Sequence, residues 1–206
     1  MRFILLALAL FCLSSAPASA AVNPSDAETV KKVEAYLNDI STLRAHFLQT
    51  AHDGKQAAGT FLLKRPGRMR FEYAPPVTDF IVADGTFVYY YDGQMKQQSY
   101  VPIGQSLADF FLRAKLTLAG DIRVTEVRRS GGMLHLTLVQ AREPGAGSLT
   151  LILAENPLQL KKWRIVDAQG LTTEVELFDT ETRIKLDSDL FHYYDPERGK
   201  KQNNLN

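Results

Sequence analysis

Residues 57–93 read AAGTFLLKRPGRMRFEYAPPVTDFIVADGTFVYYYDG, four short strand-like runs separated by turn residues. The first run, 59–64, ends at the turn signal Pro66-Gly67. In the second, 68–73, Met69, Phe71 and Tyr73 share one face while Arg68, Arg70 and Glu72 share the other. Such period-two alternation is what a half-buried strand requires, because successive side chains leave opposite faces of the pleat. Pro75-Pro76 breaks the pattern, 77–83 makes a third run with Phe80 and Val82, and Asp84-Gly85 is a tight-hairpin pair. The fourth run, 86–91, carries Phe87, Tyr89 and Tyr91 on one side and Val88 and Tyr90 on the other. Three large aromatics on one face give more apolar width than a thin core needs.

Outward from this stretch, the N-terminus reads as a leader. Arg2 supplies a positive start, Phe3 to Leu13 an apolar segment, and Ala18-Ser19-Ala20 a small-residue cleavage pattern, so residues 1–20 are expected to be a signal peptide and 21–206 a single domain. The apolar segment is shorter than the roughly 20 residues that span a bilayer. Phe11 is too bulky to precede a lipid-modified Cys12, and with that sole cysteine removed the mature chain holds no disulfide and no thiolate metal site. Without Arg2, the 24 basic residues fall to 23 and match the 23 acidic ones. A chain with no net field is not steered to nucleic acid or to an acidic membrane face, and an exported, soluble protein is expected.

Further along, Ser25 with Glu28 forms a capping-box pattern ahead of a helix to about Asn38, with Val30, Val33 and Leu37 on one face. Residues 42–51 read as a strand with Leu43, Ala45, Phe47 and Gln49 on one face, and Asp53-Gly54 turns the chain into the central stretch. After a polar strand at 96–101, Ser106 is placed to cap a second helix through Leu107, Phe110, Phe111 and Ala114, with Leu116 and Leu118 extending its apolar content to Gly120. Five more strands follow at 121–129, 133–141, 148–154, 158–167 and 172–180, then a helical turn at 188–191 and a charged tail. Roughly ten antiparallel strands and two helices make the fold mainly β (α+β). A sheet that wide curls, and two helices are too few to fill it. The expected architecture is therefore a strongly curved antiparallel sheet forming an unclosed β-barrel, with the helices as a lid over an apolar cavity.

Catalytic patterns are missing. His46, His52, His135 and His192 lack ligand spacing, so no metal and no cofactor is expected. Gly104-Gln105-Ser106-Leu107-Ala108 falls one residue short of a nucleophile elbow, and Ser106 reads better as a helix cap. No glycine loop cradles phosphate. Arg65, Arg68 and Arg70 are diluted by Glu72 and Asp79, which argues against nucleic acid. The chain does not read as an enzyme.

Lys64-Arg65-Pro66, a strand ending in an aromatic, Pro75-Pro76, Asp84-Gly85 and an aromatic strand closed by Asp92 together resemble the LolA family of periplasmic outer-membrane lipoprotein carriers. Element order agrees over most of the chain, and 59–92 is the diagnostic part. The resemblance implies that Arg65 hydrogen-bonds backbone carbonyls of the lid helices and holds the cavity shut, a task suited to a planar group with five donors. Met69, Phe71, Tyr73, Phe80, Val82, Phe87, Tyr89 and Tyr91 would line the lipid-binding cavity, with Leu107, Phe110, Phe111 and Leu116 as the lid's apolar side, although each residue alone reads equally as plain core. Implied partners are acylated lipoproteins, an inner-membrane ABC transporter that releases them and an outer-membrane receptor, with the carrier a monomer. A carrier of another amphiphile, or a lipid-sensing regulatory domain of the same fold, fits the same residues. After Phe191 the chain departs from the family pattern, ending in a short charged tail where many members have a longer loop and another strand.

Overall fold

The structure, a computed structural model, describes residues 24–105 and 109–198. The expected leader, the Ser25 side chain, Ser106, Leu107 and the tail beyond Arg198 lie outside what it describes. A helix, α1, spans Pro24–Asp39 and starts one residue ahead of the expected Ser25 cap; a proline suits a first helical position, where its missing N–H costs nothing. Six strands follow: β1 (Thr42–Thr50), β2 (Gln56–Lys64), β3 (Arg68–Tyr73), β4 (Phe80–Asp84), β5 (Phe87–Asp92) and β6 (Gln97–Pro102). After the single helical turn α2 (Asp109–Leu112) come β7 (Ile122–Ser130), β8 (Met133–Gln140), β9 (Gly147–Glu155), β10 (Leu158–Asp167) and β11 (Thr172–Thr182).

All 11 described strands join one sheet in the order β6-β5-β4-β3-β2-β1-β11-β10-β9-β8-β7, each matching a run that the sequence marks. Every pairing is antiparallel, and β1 with β11 forms the seam that joins two hairpin meanders. The ends of the order, β6 and β7, do not pair, so the wall stays unclosed. Its curl is visible in ring contacts. Phe71 on β3 and Trp163 on β10 have centroids 6.2 Å apart, whereas four strand spacings in a flat sheet would separate them by about 19 Å. Bulges between Arg44 and His46, Leu160 and Lys162, and Val124 and Glu126 add local bend.

The inner face is apolar because alternation holds strand after strand. Leu134, Leu136 and Leu138 on β8 lie beside Leu153, Leu151 and Leu149 on β9, and Phe47, Phe61 and Trp163 continue the surface. Strands β6 and β7 are opposite edges, and between them residues 109–121 join α1 over the inner face. The second helix ends sooner than the sequence suggests: its described part is Asp109–Leu112, and the chain leaves helical geometry at Arg113 rather than beyond Ala114. Beyond it, side chains of α1 take the backbone groups that a continuing helix would have paired internally, as shown below.

Gly59 marks the tightest strand contact near the site. A Cβ there would stand 2.1 Å from the Glu72 carbonyl oxygen and 2.9 Å from the Phe47 ring. That ring leans across the glycine to meet Phe71 and Tyr73 edge-on, each at 5.2 Å. Gly59→Ala is expected to lower stability by about 1–3 kcal/mol through overpacking, read by urea denaturation. An unchanged midpoint would contradict this close approach.

Candidate functional site

The β2–β3 turn, Lys64 to Gly67, sits where the wall meets its cover. Arg65 Nε donates to the Phe111 carbonyl of α2 at 2.7 Å, and Nη1 donates to the Leu37 carbonyl of α1 at 2.5 Å. Both acceptors lie in the last turn of a helix, where carbonyls lack internal partners and the dipole is negative. One guanidinium thus caps two helices at once. Burial pulls Arg65 below its ordinary pKa, yet an arginine stays charged in proteins. Backbone bonds reinforce the junction: Arg65 N–H donates to Ser41 O and Gly67 N–H to Leu112 O, each at 2.8 Å. Gly67 adopts φ +78°, and a Cβ on it would press within 2.9 Å of Gly85 Cα.

Within the lid, α1 fastens the segment after α2. The Asn38 amide donates to Leu116 O at 2.8 Å and accepts from Leu116 N–H at 2.9 Å, while Glu34 accepts from Leu118 N–H at 2.7 Å. Tyr36 Oη accepts the Leu160 N–H at 2.8 Å beside the β10 bulge, anchoring α1 to the wall. Arg113 closes the far end with ion pairs to Asp109 at 2.5 Å and Asp121 at 2.6 Å. Asn38, Glu34, Tyr36 and Trp163 were not singled out from sequence. Trp163 carries a signal that was there to be read, a lone tryptophan alternating with Ile165 on a strand.

Register divides the expected cavity residues between two faces. Met69, Phe71 and Tyr73 point inward, as do Phe110, Phe111 and Leu116 from the lid. Phe61, Phe71, Trp163 and Phe111 form a chain of ring contacts 4.5–5.5 Å apart. This part of the interior is packed. Phe80, Val82, Phe87, Tyr89 and Tyr91 lie on the opposite face and do not line the inside. Phe71 pairs with Ile81 and Ile81 with Tyr90, which puts Ile81, Val88 and Tyr90 inward and the other five outward. The outward aromatics are covered by the chain after β11. Tyr193 stacks on Tyr89 at 4.6 Å and meets Phe80 at 5.8 Å. Phe191, Leu186 and Leu62 form a second, smaller core. Lys64 ties this strap down, donating to Leu186 O and Ser188 Oγ, both at 2.9 Å. Adjacent residues of one turn therefore hold different covers: Lys64 the outer strap, Arg65 the inner lid.

Open space remains at the other end of the inner face. A cavity of about 630 Å³ lies under α2, with Leu138, Leu149 and Ile165 below, Phe110 and Phe111 above and Ile122 to the side. Of the described residues expected to line a cavity, Phe110 and Phe111 alone touch this one. Among the described residues no three His, Cys, Asp or Glu side chains converge to hold a metal.

With this geometry, comparison with known proteins is direct. The family model described as outer membrane lipoprotein carrier protein LolA matches residues 38–194. The chain belongs to the LolA family. It is 28% identical over 182 residues to the outer-membrane lipoprotein carrier protein of Methylococcus capsulatus, covering 84% of this chain and 87% of that one. To the protein of the same name from Methylibium petroleiphilum it is 29% identical over 197 residues, covering 92% and 93%. A solved LolA superfamily protein from Nitrosomonas europaea superposes with a TM-score of 0.43 at 12% identity, covering 80% of this chain and 97% of that one.

The strap makes a stability prediction. Phe191 is 1% exposed and Tyr194 70% exposed, so Phe191→Ala should cost about 3–5 kcal/mol and Tyr194→Ala less than about 0.5 kcal/mol in urea unfolding. Equal costs would show that the strap is not part of the folded wall. Tyr73 gives a pH test. Burial pushes its pKa from 10.0 up to about 12. The stability it contributes is complete below pH 10 and lost as pH rises toward 12. Tyr73→Phe should flatten that alkaline decline; an unaltered slope would place Tyr73 in water.

Proposed function

We propose that the protein is a periplasmic carrier, exported by a leader at residues 1–20 and acting as a monomeric domain over 21–206. It shields the acyl chains of lipoproteins while they pass from an inner-membrane ABC releasing transporter to an outer-membrane receptor. The observation that carries this reading is Arg65, whose guanidinium holds both lid helices through the carbonyls of Leu37 and Phe111. Family membership supports it, and the role is one of binding rather than catalysis.

Energetics explain why a carrier needs such a latch. Each methylene moved from water is worth about 0.8 kcal/mol, so a three-chain anchor of some forty methylenes exposed to water costs roughly 30 kcal/mol. In the closed protein Phe110, Phe111, Leu112, Leu116 and Leu118 occupy the inner face. Lifting them into water would cost about 1.5–3 kcal/mol each, and breaking the two Arg65 bonds about 1.5–3 kcal/mol apiece. Loading is thus an exchange, in which acyl chains replace lid side chains and most of the gain is offset. Weak net retention is what hand-over requires. The latch bonds exist only when the lid is shut, so they favour the empty state.

Arg65→Leu removes both bonds while leaving the wall intact. The variant should fold, co-purify with more acylated protein than the wild type, and deliver lipoproteins to the outer membrane about tenfold more slowly or worse, as the loss of one charge-assisted bond implies. A folded variant that delivers at the wild-type rate would remove Arg65 from the mechanism.

A further inference from the structure

The two edges of the sheet differ in how they are protected. Strand β7 carries Arg123, Glu126, Arg128 and Arg129 and is bent by the bulge between Val124 and Glu126, and charge and bulges both keep an edge from pairing with another chain. Strand β6, Gln97-Gln98-Ser99-Tyr100-Val101-Pro102, has no charged residue and an unbroken register with β5, and all of it is exposed. Its hydrogen-bonding phase follows from the Ile103 N–H, which donates to Thr86 O at 3.1 Å. Residues 103, 101, 99 and 97 therefore bond toward β5, while the backbone N–H and C=O of Gln98 and Tyr100 point to the open side. Among the described residues no strand pairs there. Side chains add chemistry to this lip. Tyr100 is 61% exposed, and its ring meets Phe87 at 5.4 Å and Tyr89 at 5.8 Å on the outer face. Where β6 begins, Lys96, Gln97, Gln98, Asp195 and Glu197 line a hollow of about 260 Å³. Asp79 and Asp92 stand at the adjoining β5–β6 turn, so carboxylates at this end of the strand outnumber the cations, Lys96 and Arg198.

We propose that β6 takes the polypeptide of the acylated cargo as an added strand, and that the segment it takes carries Lys or Arg at alternate positions. Side chains two apart leave a strand on one face. Opposite Tyr100 and Gln98, two such cations fall on the Tyr100 ring and beside Asp195 and Glu197, where a cation–π contact and an ion pair receive them. Pairing stops at Pro102, which has no N–H to offer. The proposal rests on the carrier reading, in which the anchor is inside the wall and the polypeptide outside, with β6 and β7 as the two lips of the opening. Strand addition draws its affinity from main-chain bonds that any sequence can make and its specificity from alternate side chains. One lip can therefore hold many cargoes while the charges rank them.

The test is titration of the purified mature protein with two tripalmitoylated peptides, whose tails are Thr-Lys-Val-Lys-Thr and Thr-Glu-Val-Glu-Thr, and with tripalmitoyl cysteine amide, which has no tail. Amide hydrogen exchange is followed residue by residue by NMR. The lysine tail should bind about fivefold more tightly than the glutamate tail and should slow exchange at Gln98 and Tyr100. Asp195→Asn with Glu197→Gln keeps the oxygens that accept from the Glu197 N–H and Tyr91 Oη, and should remove the preference between tails. Gln98→Pro deletes an N–H on the open side without touching a bond to β5. It should bind the lysine tail about fivefold more weakly, the loss of one hydrogen bond, and bind tripalmitoyl cysteine amide as the wild type does. Equal affinity for the two tails, unslowed exchange at Gln98 and Tyr100, or undiminished binding of the lysine tail by Gln98→Pro would overturn the proposal. Protection of those amides that rises with protein concentration alone would make the occupant a second copy of the chain, and would overturn it too. Protein that binds tripalmitoyl cysteine amide with no effect of either tail would remove the added strand and leave the carrier standing. Protein that binds none of the three would bring down both.

Discussion

One cation ties both lid helices to the wall of this molecule. Arg65 leaves the β2–β3 turn and donates to the last turns of two helices that are otherwise far apart in the chain. A buried charge is tolerated only if it is well solvated by the protein, and here carbonyls at the negative ends of helices supply that solvation. Moving either helix away would leave the guanidinium with one of its two carbonyl acceptors. Strands β6 and β7 are opposite edges, the described residues 109–121 between them lie over the inner face, and the turn that carries Arg65 bonds to them through Gly67 N–H and Leu112 O.

The interior is less hollow than a vessel for lipid was expected to be. Where Phe61, Phe71, Trp163 and Phe111 meet, the lid's Phe111 ring fills the space between cover and wall. That arrangement solves a physical problem that an empty apolar cavity would create. A permanently open greasy cleft invites aggregation and any passing amphiphile, whereas a lid that fills its own binding site is displaced only by a ligand offering comparable apolar area. A residual cavity of about 630 Å³ remains under α2, beside this packed region.

Much of the wall was legible in the sequence, because alternation such as Leu134, Leu136, Leu138 fixes strands locally and Gly or Pro pairs mark their turns. The helical turn at Ser188–Phe191 was legible for similar reasons. What alternation cannot supply is the phase between strands. Met69, Phe71 and Tyr73 and the trio Phe87, Tyr89 and Tyr91 look alike in sequence, yet the loop at 74–79 sets β4 so that the second group faces outward. The strap was hidden for a related reason, since its anchor, Lys64, reaches residues more than a hundred positions away. The lid's second half was misread as helix because its apolar content is right. Only the three-dimensional placement of Asn38 and Glu34 shows that its backbone is paired from outside. Arg65 itself was identified through the family motif around it; its spacing alone would have made it a surface residue before a turn.

Lid displacement is the central claim, and the chain lends itself to measuring it because its one cysteine, Cys12, falls within residues 1–20, the proposed leader. Spin labels on cysteines introduced at exposed Lys115 in the lid and exposed Thr86 on the wall would report the distance between them by pulsed electron resonance. The account predicts one short distance in the empty protein, and a longer distribution when a triacylated peptide is bound. A distribution that stays unchanged with the peptide demonstrably bound would contradict it.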